Sequence, residues 1–311
     1  MRLAPTFVLV AVVCPVAVQA GQAEADRFLR EYPEAARRIQ ERYSQIKGEC
    51  RITDVTSKRM SPAIFAFDHG FRKVEFFADP NAKGRSGSMV YCLGPDSGFG
   101  LRRENTKAPY RVFWLGPASE NQRTFNFQFG KYINAPHSIY WTPLIDLVKP
   151  GDVRNVTAEE VSMGGETLLK VYFESGTKEA PDKTWLVLDP NSWVIRSYEN
   201  LAGQPPGATR TTKIEVEYDP GRGGIPTPKL VKFTDPNLKS EVCEFRSVTF
   251  DPTPRDEFSM EFYDLPDIAA TPPVRRFGLI PWLVGLGVLG LVVGLALKLA
   301  AGRARARRAM A

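Results

Sequence analysis

A helical period opens the polar part of the chain. Phe28, Tyr32, Ala35, Ile39, Tyr43 and Ile46 recur every three or four residues, with Arg30, Glu34, Arg38 and Glu41 between them. That spacing puts one apolar stripe along an amphipathic helix. Pro33 is expected to kink or divide it, and Lys47-Gly48 to cap its end. From Glu49 onward the period becomes two. Thr124–Phe129 alternates Phe125, Phe127 and Phe129 with Asn126 and Gln128, and Thr212–Tyr218 alternates Ile214, Val216 and Tyr218 with Lys213, Glu215 and Glu217. Such alternation predicts strands with one apolar face. Glu241–Phe250 is a further long strand. Asp-Pro pairs at 79–80, 189–190, 219–220, 235–236 and 251–252 start turns at strand ends. About ten strands are expected, mostly antiparallel because their connections are short.

Two stretches depart from simple alternation. Residues 185–199, WLVLDPNSWVIRSYE, read as a hairpin whose first strand is apolar on both faces, Trp185 and Val187 on one and Leu186 and Leu188 on the other. Thr142-Pro143 reads as an N-cap followed by a first-turn proline, opening a short apolar helix Pro143–Val148 that Lys149-Pro150-Gly151 ends. A helix so short, with Leu144, Ile145, Leu147 and Val148, needs an apolar surface to lie against. A curled antiparallel sheet with apolar groups on both faces would line a trough on one side and carry a packed layer on the other. The candidate trough residues are Phe125, Phe127, Phe129, Leu144, Ile145, Leu147, Trp185 and Val187, each with a packed-core reading as its alternative.

The ends carry targeting patterns. Met1-Arg2, the apolar run Phe7–Val18 and the small-residue site Val18-Gln19-Ala20 form the pattern of a secretory signal peptide, residues 1–20, cleaved before Gly21. Phe277–Leu297 is an uncharged run long enough to span about 30 Å of hydrocarbon as a transmembrane helix, with Trp282 near one boundary. Arg275 and Arg276 precede it, while Lys298, Arg303, Arg305, Arg307 and Arg308 follow. That imbalance places the tail 298–311 in the cytoplasm and the body in the periplasm. The expected organisation is thus a signal peptide, an exported domain 21–267, a linker 268–276, a single-pass anchor in the inner membrane and a basic tail. Gly290 and Gly294 form a G-x-x-x-G step that allows a homodimer. A removable sorting tail is the competing reading of this end, but Thr271-Pro272-Pro273 lacks the Pro-Glu-Pro signature of the best-known class.

Charge follows from this division. The chain carries +6, of which Arg2 supplies +1 and residues 275–311 supply +7, leaving −2 on residues 21–274. The body therefore has no basic excess for nucleic acid. Cys50, Cys92 and Cys243 remain after residue 20; they show no metal or redox spacing and leave open whether one pair is bridged. His69 and His137 belong to no H-E-x-x-H pair, Gly84–Ser88 misses the nucleophile-elbow spacing, and Gly221–Gly224 reads as a turn between strands. Glu159 and Glu160 are adjacent and point apart on a strand. No cofactor, metal or catalytic group is expected.

The order of elements resembles the LolA/LolB-like lipoprotein carriers, a group that includes the periplasmic carrier LolA and the N-terminal half of the stress regulator RseB. The likeness covers roughly residues 23–268. Phe71-Arg72-Lys73-Val74-Glu75 is similar to a family strand in which an aromatic residue and an arginine precede Val/Glu, and Trp185–Glu199 is similar to its late hairpin. The resemblance implies a mainly β (α+β) fold, an unclosed antiparallel half-barrel with helices as a lid over an acyl-chain cavity. The expected whole is that half-barrel with an N-terminal amphipathic helix, a short apolar lid helix and one C-terminal transmembrane helix. The implied function is non-catalytic binding of an acyl chain or lipidated protein at the bacterial envelope. The alternative is an envelope sensor, RseB-like, that signals through a membrane partner.

Overall fold

The computed structural model describes residues 15–266 apart from 79–86, 150, 203–209, 222–223 and 236–239. The chain divides into a unit Met1–Leu265 and a unit Pro266–Ala311. The expected linker, spanning run, basic tail and Gly290/Gly294 pair lie outside the described residues, as does most of the signal segment.

A long helix, α1 (Pro15–Ser44), is followed by β1 (Gln45–Asp54), β2 (Met60–Asp68), β3 (Phe71–Phe77), β4 (Ser88–Leu93), β5 (Ser97–Arg103) and β6 (Arg111–Pro117). A helical insert comes next: α2 (Ala118–Phe125), a π-turn (Asn126–Gly130) and α3 (Lys131–Ile133). The two-residue strands β7 (Ser138–Ile139) and β8 (Thr142–Pro143) lead to the single turn α4 (Leu144–Leu147). The chain then meanders through β9 (Arg154–Met163), β10 (Glu166–Gly176), β11 (Pro181–Leu188), β12 (Ile195–Ala202), β13 (Arg210–Asp219), β14 (Thr227–Thr234) and β15 (Ser240–Thr249). Thirteen strands form one sheet in the order β6-β5-β4-β3-β2-β1-β15-β14-β13-β12-β11-β10-β9. Every neighbouring pair is antiparallel, β1 pairing with both β2 and β15. The edges β6 and β9 are not paired with each other, so the sheet stays open.

The sheet curls around α1. Ala25, Phe28, Tyr32, Ala35, Ile39 and Tyr43 are all buried on one stripe of the helix, as their spacing requires. They share a core with Phe65 of β2, Val171 of β10, Leu186 and Leu188 of β11, Ile214 of β13 and Phe245 of β15. The hairpin β11–β12 forms as its sequence predicts. Asp189 Oδ1 accepts from the Asn191 N–H and Oδ2 from the Ser192 hydroxyl. Trp193 takes the left-handed conformation (φ 62°) and packs on Phe28 and Tyr32, with ring centroids 6.4 and 6.2 Å apart. A second, smaller core covers the outer face of β2–β5, where Phe258, Met260 and Tyr263 lie on Ala66, Val90, Cys92, Phe99 and Leu101.

Several expectations are corrected. Thr124–Phe129 is helical, not a strand: Phe125 and Phe129 stand four apart, so an alternation this short also fits one helix face. The short apolar helix shrinks to one turn because Thr142-Pro143 pairs with β7. The first helix runs through Pro33 and ends at Ser44, whose hydroxyl donates to the Glu41 carbonyl. Gly48 is no cap; it lies inside β1, where a Cβ would stand 1.9 Å from the Ser247 carbonyl oxygen. The fold class is corrected at its C-terminal end as well. Among the described residues no helix is long and apolar enough to cross a membrane, which leaves a mainly antiparallel β fold with few helices. The single-pass inner-membrane localisation needs such a helix and is dropped with it, since none is present among the described residues.

Candidate functional site

Alternation along β3 divides the concave face into two ends. Arg72, Val74 and Phe76 share that face, while Lys73 and Glu75 point outward to Glu257 and to Tyr110. The helical insert crosses the concavity between the ends. Phe129 sits over Phe65 and Phe76, with ring centroids 5.4 and 6.0 Å away, and Phe125 lies 5.8 Å from Phe67. These rings fill the middle of the concavity with the chain's own side chains.

Beyond them, at the Phe76 end, lies an opening of about 660 Å³. Ile52, Phe76, Phe77, Met89 and Phe127 supply its apolar wall, and Arg59, Arg102 and Glu104 its rim. Phe127 is 42% exposed and Met89 37%, unusual for large apolar groups placed side by side around one concavity. Phe127 points here because it is on the helix face opposite Phe125 and Phe129. An ion pair, Lys131 with Glu241, forms the polar part of the lining. Glu241 also accepts from the Tyr132 hydroxyl at 2.5 Å. Lys131 is buried, with its ammonium 5.1 Å from the centre of the Phe127 ring. Desolvation lowers its pKa below the ordinary lysine value, against the opposing pull of Glu241. Volume and lining suit a mostly apolar ligand with a few fixed polar contacts.

The residues proposed from sequence fall into three groups. Phe125, Phe129 and Leu144 are fully buried in the main core, with Ile145 and Leu147 half-buried against it. Phe127 lines the opening. Trp185 and Val187 lie on the other face of β11 from the core residues Leu186 and Leu188, and Trp185 stacks 5.3 Å from Tyr172 beside the start of α1. The opening thus gathers only one of the eight. Phe76, Phe77 and Met89 were missed, although the alternation in FRKVEFF already puts Phe76 on the face of Arg72 and Val74.

A Ser-His-Asp grouping occurs at the surface but is not arranged for nucleophilic attack. Ser44 Oγ is 3.2 Å from His69 Nδ1, yet its proton goes to the Glu41 carbonyl at 2.7 Å. His69 Nε2 lies 3.2 Å from Gln45 Oε1 and 4.0 Å from Asp68 Oδ1, and the ring is exposed. The hydroxyl is spent, and the buried carboxylate of Asp68, 4.0 Å from Nε2, is beyond hydrogen-bond reach and does not orient the ring for general-base work.

No family model matches the sequence, and no curated protein matches it. Among solved structures it is similar to a LolA superfamily protein, NE2245 from Nitrosomonas europaea. The match has 13% identity, covers 73% of this chain and 98% of that one, and has a TM-score of 0.32. A correspondence that loose assigns neither fold nor site.

Proposed function

We propose that this chain is a non-catalytic binding protein of the LolA-like half-barrel type, taking an acyl chain or a lipidated segment at the opening beside Phe127. The observation that carries the reading is the exposed pair Phe127 and Met89, set with Phe76 and Phe77 around a cavity of about 660 Å³ on the concave face of an open sheet. Moving such groups from water to contact with a hydrocarbon chain gains about 25 cal/mol per Å² of apolar surface buried. The main core behind them is already filled, so the ligand would lie at the opening and not replace α1. Export through the signal pattern of residues 1–20 belongs to the same proposal, because a lipid carrier of this kind works between membranes.

The test is extraction. Chain purified under native conditions is extracted with organic solvent, and the extract is analysed by mass spectrometry. Fatty acid or lipid in stoichiometric amount supports the proposal. An empty extract, with no uptake from added liposomes, rejects it.

A further inference from the structure

At the Arg72 end of the concave face lies a second cavity, about 350 Å³, of different chemistry and independent of the apolar opening. Four elements meet there: the end of α1 (Tyr43), the inner face of β2–β3 (Phe67 and Arg72), the helical insert (Asn126) and the connection to α4 (His137 and Trp141). Asn126 and His137 are each only 7% exposed. Asn126 Oδ1 and His137 Nδ1 have no hydrogen-bond partner among the described residues. Two orphaned polar atoms in one small cavity are costly, since a buried unsatisfied group costs about 1–3 kcal/mol.

Arg72 sharpens the picture. Its guanidinium lies 5.9 Å from the centre of the Phe67 ring, and it has no ion pair among the described residues. The nearby carboxylate of Asp68 faces His69 instead. Burial and the neighbouring guanidinium hold the His137 ring neutral, with its pKa pushed down to about 4. A neutral ring presents one N–H and one bare nitrogen, so His137 supplies no competing cation. Gly130 supports the arrangement, because a Cβ there would meet Asn126 Oδ1 at 2.7 Å. The π-turn and the glycine together leave room for the Asn126 amide at the cavity wall.

We infer that this cavity is a binding site for a small carboxylate that carries an adjacent hydrogen-bond donor, such as a hydroxy acid. The carboxylate accepts from Arg72 and from a His137 N–H, and the ligand's own O–H donates to Asn126 Oδ1. Each orphaned group then gains a partner, and the guanidinium gains a counter-charge in a fork geometry suited to it.

The chain's two histidines provide the readout, since His69 is an exposed internal control. Full-length chain labelled with ¹⁵N-histidine is titrated with glycolate, acetate and neutral ethylene glycol while both rings are followed by NMR. The expected result is a saturable shift of the His137 ring by glycolate, about tenfold weaker with acetate and absent with ethylene glycol, while the His69 ring stays still. In Arg72→Gln the glycolate shift should weaken at least about tenfold. Gly130→Ala should weaken it too, by displacing the Asn126 amide without touching the charge. No saturable His137 shift in the native chain overturns the site. Equal responses to glycolate and ethylene glycol overturn its assignment to an anion.

Discussion

Phe129 has rings of its own chain on every side, whereas Phe127 two residues earlier is exposed. Phe129→Ala should therefore cost about 3–5 kcal/mol of unfolding free energy, as a large cavity in a packed core does. Phe127→Ser should cost under about 1 kcal/mol, in the range of substitutions away from packed features. Denaturant melts of the two variants check this, and equal losses would contradict the placement of the insert. His137 makes a pH prediction. Its folded pKa is depressed to about 4 by burial and by Arg72, against about 6.5 in an unfolded chain. Between those values only the unfolded state binds the proton, so stability is full above the upper value and declines as pH falls toward the lower. The His137 contribution is on the order of 3 kcal/mol, read as the difference between pH titrations of native chain and His137→Gln. The thiols are also constrained. Burial pushes Cys92 up to about 12 and Cys243 well above its ordinary value. All three cysteines of the body are buried and unbridged. Iodoacetamide should leave them unmodified in the folded chain and alkylate them in urea; modification of Cys50 or Cys243 in the folded chain would show the β1–β15 seam to be open, and modification of Cys92 the outer layer over β4.

At the scale of elements, local pattern was a good guide where burial was one-sided and a poor one where the insert was concerned. The α1 stripe, the β11–β12 hairpin and β13 follow the periods visible in Phe28–Tyr43, Trp185–Glu199 and Thr212–Tyr218. TFNFQF did not yield its fold, because six residues cannot separate a period of two from a pair of aromatics four apart. Gly48 was misread for a related reason. A glycine after a helical stripe looks like a cap, but here it permits β1 and β15 to approach so closely that a Cβ would strike the Ser247 carbonyl, next to the register shift at Glu49/Cys50. Gly48→Ala should accordingly destabilise the chain by about 3 kcal/mol, at the upper end of overpacking effects. Faster amide exchange in β1 and β15 than elsewhere would locate the damage.

At the scale of the whole molecule, the open antiparallel sheet was legible in the alternation and short connections, because those are local properties. The two ends of the concavity were not. They depend on which strand alternations meet across a curled sheet, as when Arg72 joins Asn126 and His137 while Phe76 joins Met89 and Phe127. The outer layer Phe258–Tyr263 was also hidden, since its short 3-10 turns carry no period to read. The account rests on the apolar end being a ligand site and not merely an imperfectly closed core. The most direct measurement is titration of the native chain with a fluorescent long-chain fatty acid, in parallel with Phe127→Ser, Met89→Ser and, on the opposite face, Trp185→Ser. The account predicts saturable binding by the native chain and by Trp185→Ser, and binding about tenfold weaker in the other two with melting nearly unchanged. No saturable binding by the native chain, or loss in Trp185→Ser with retention in Phe127→Ser, would contradict it.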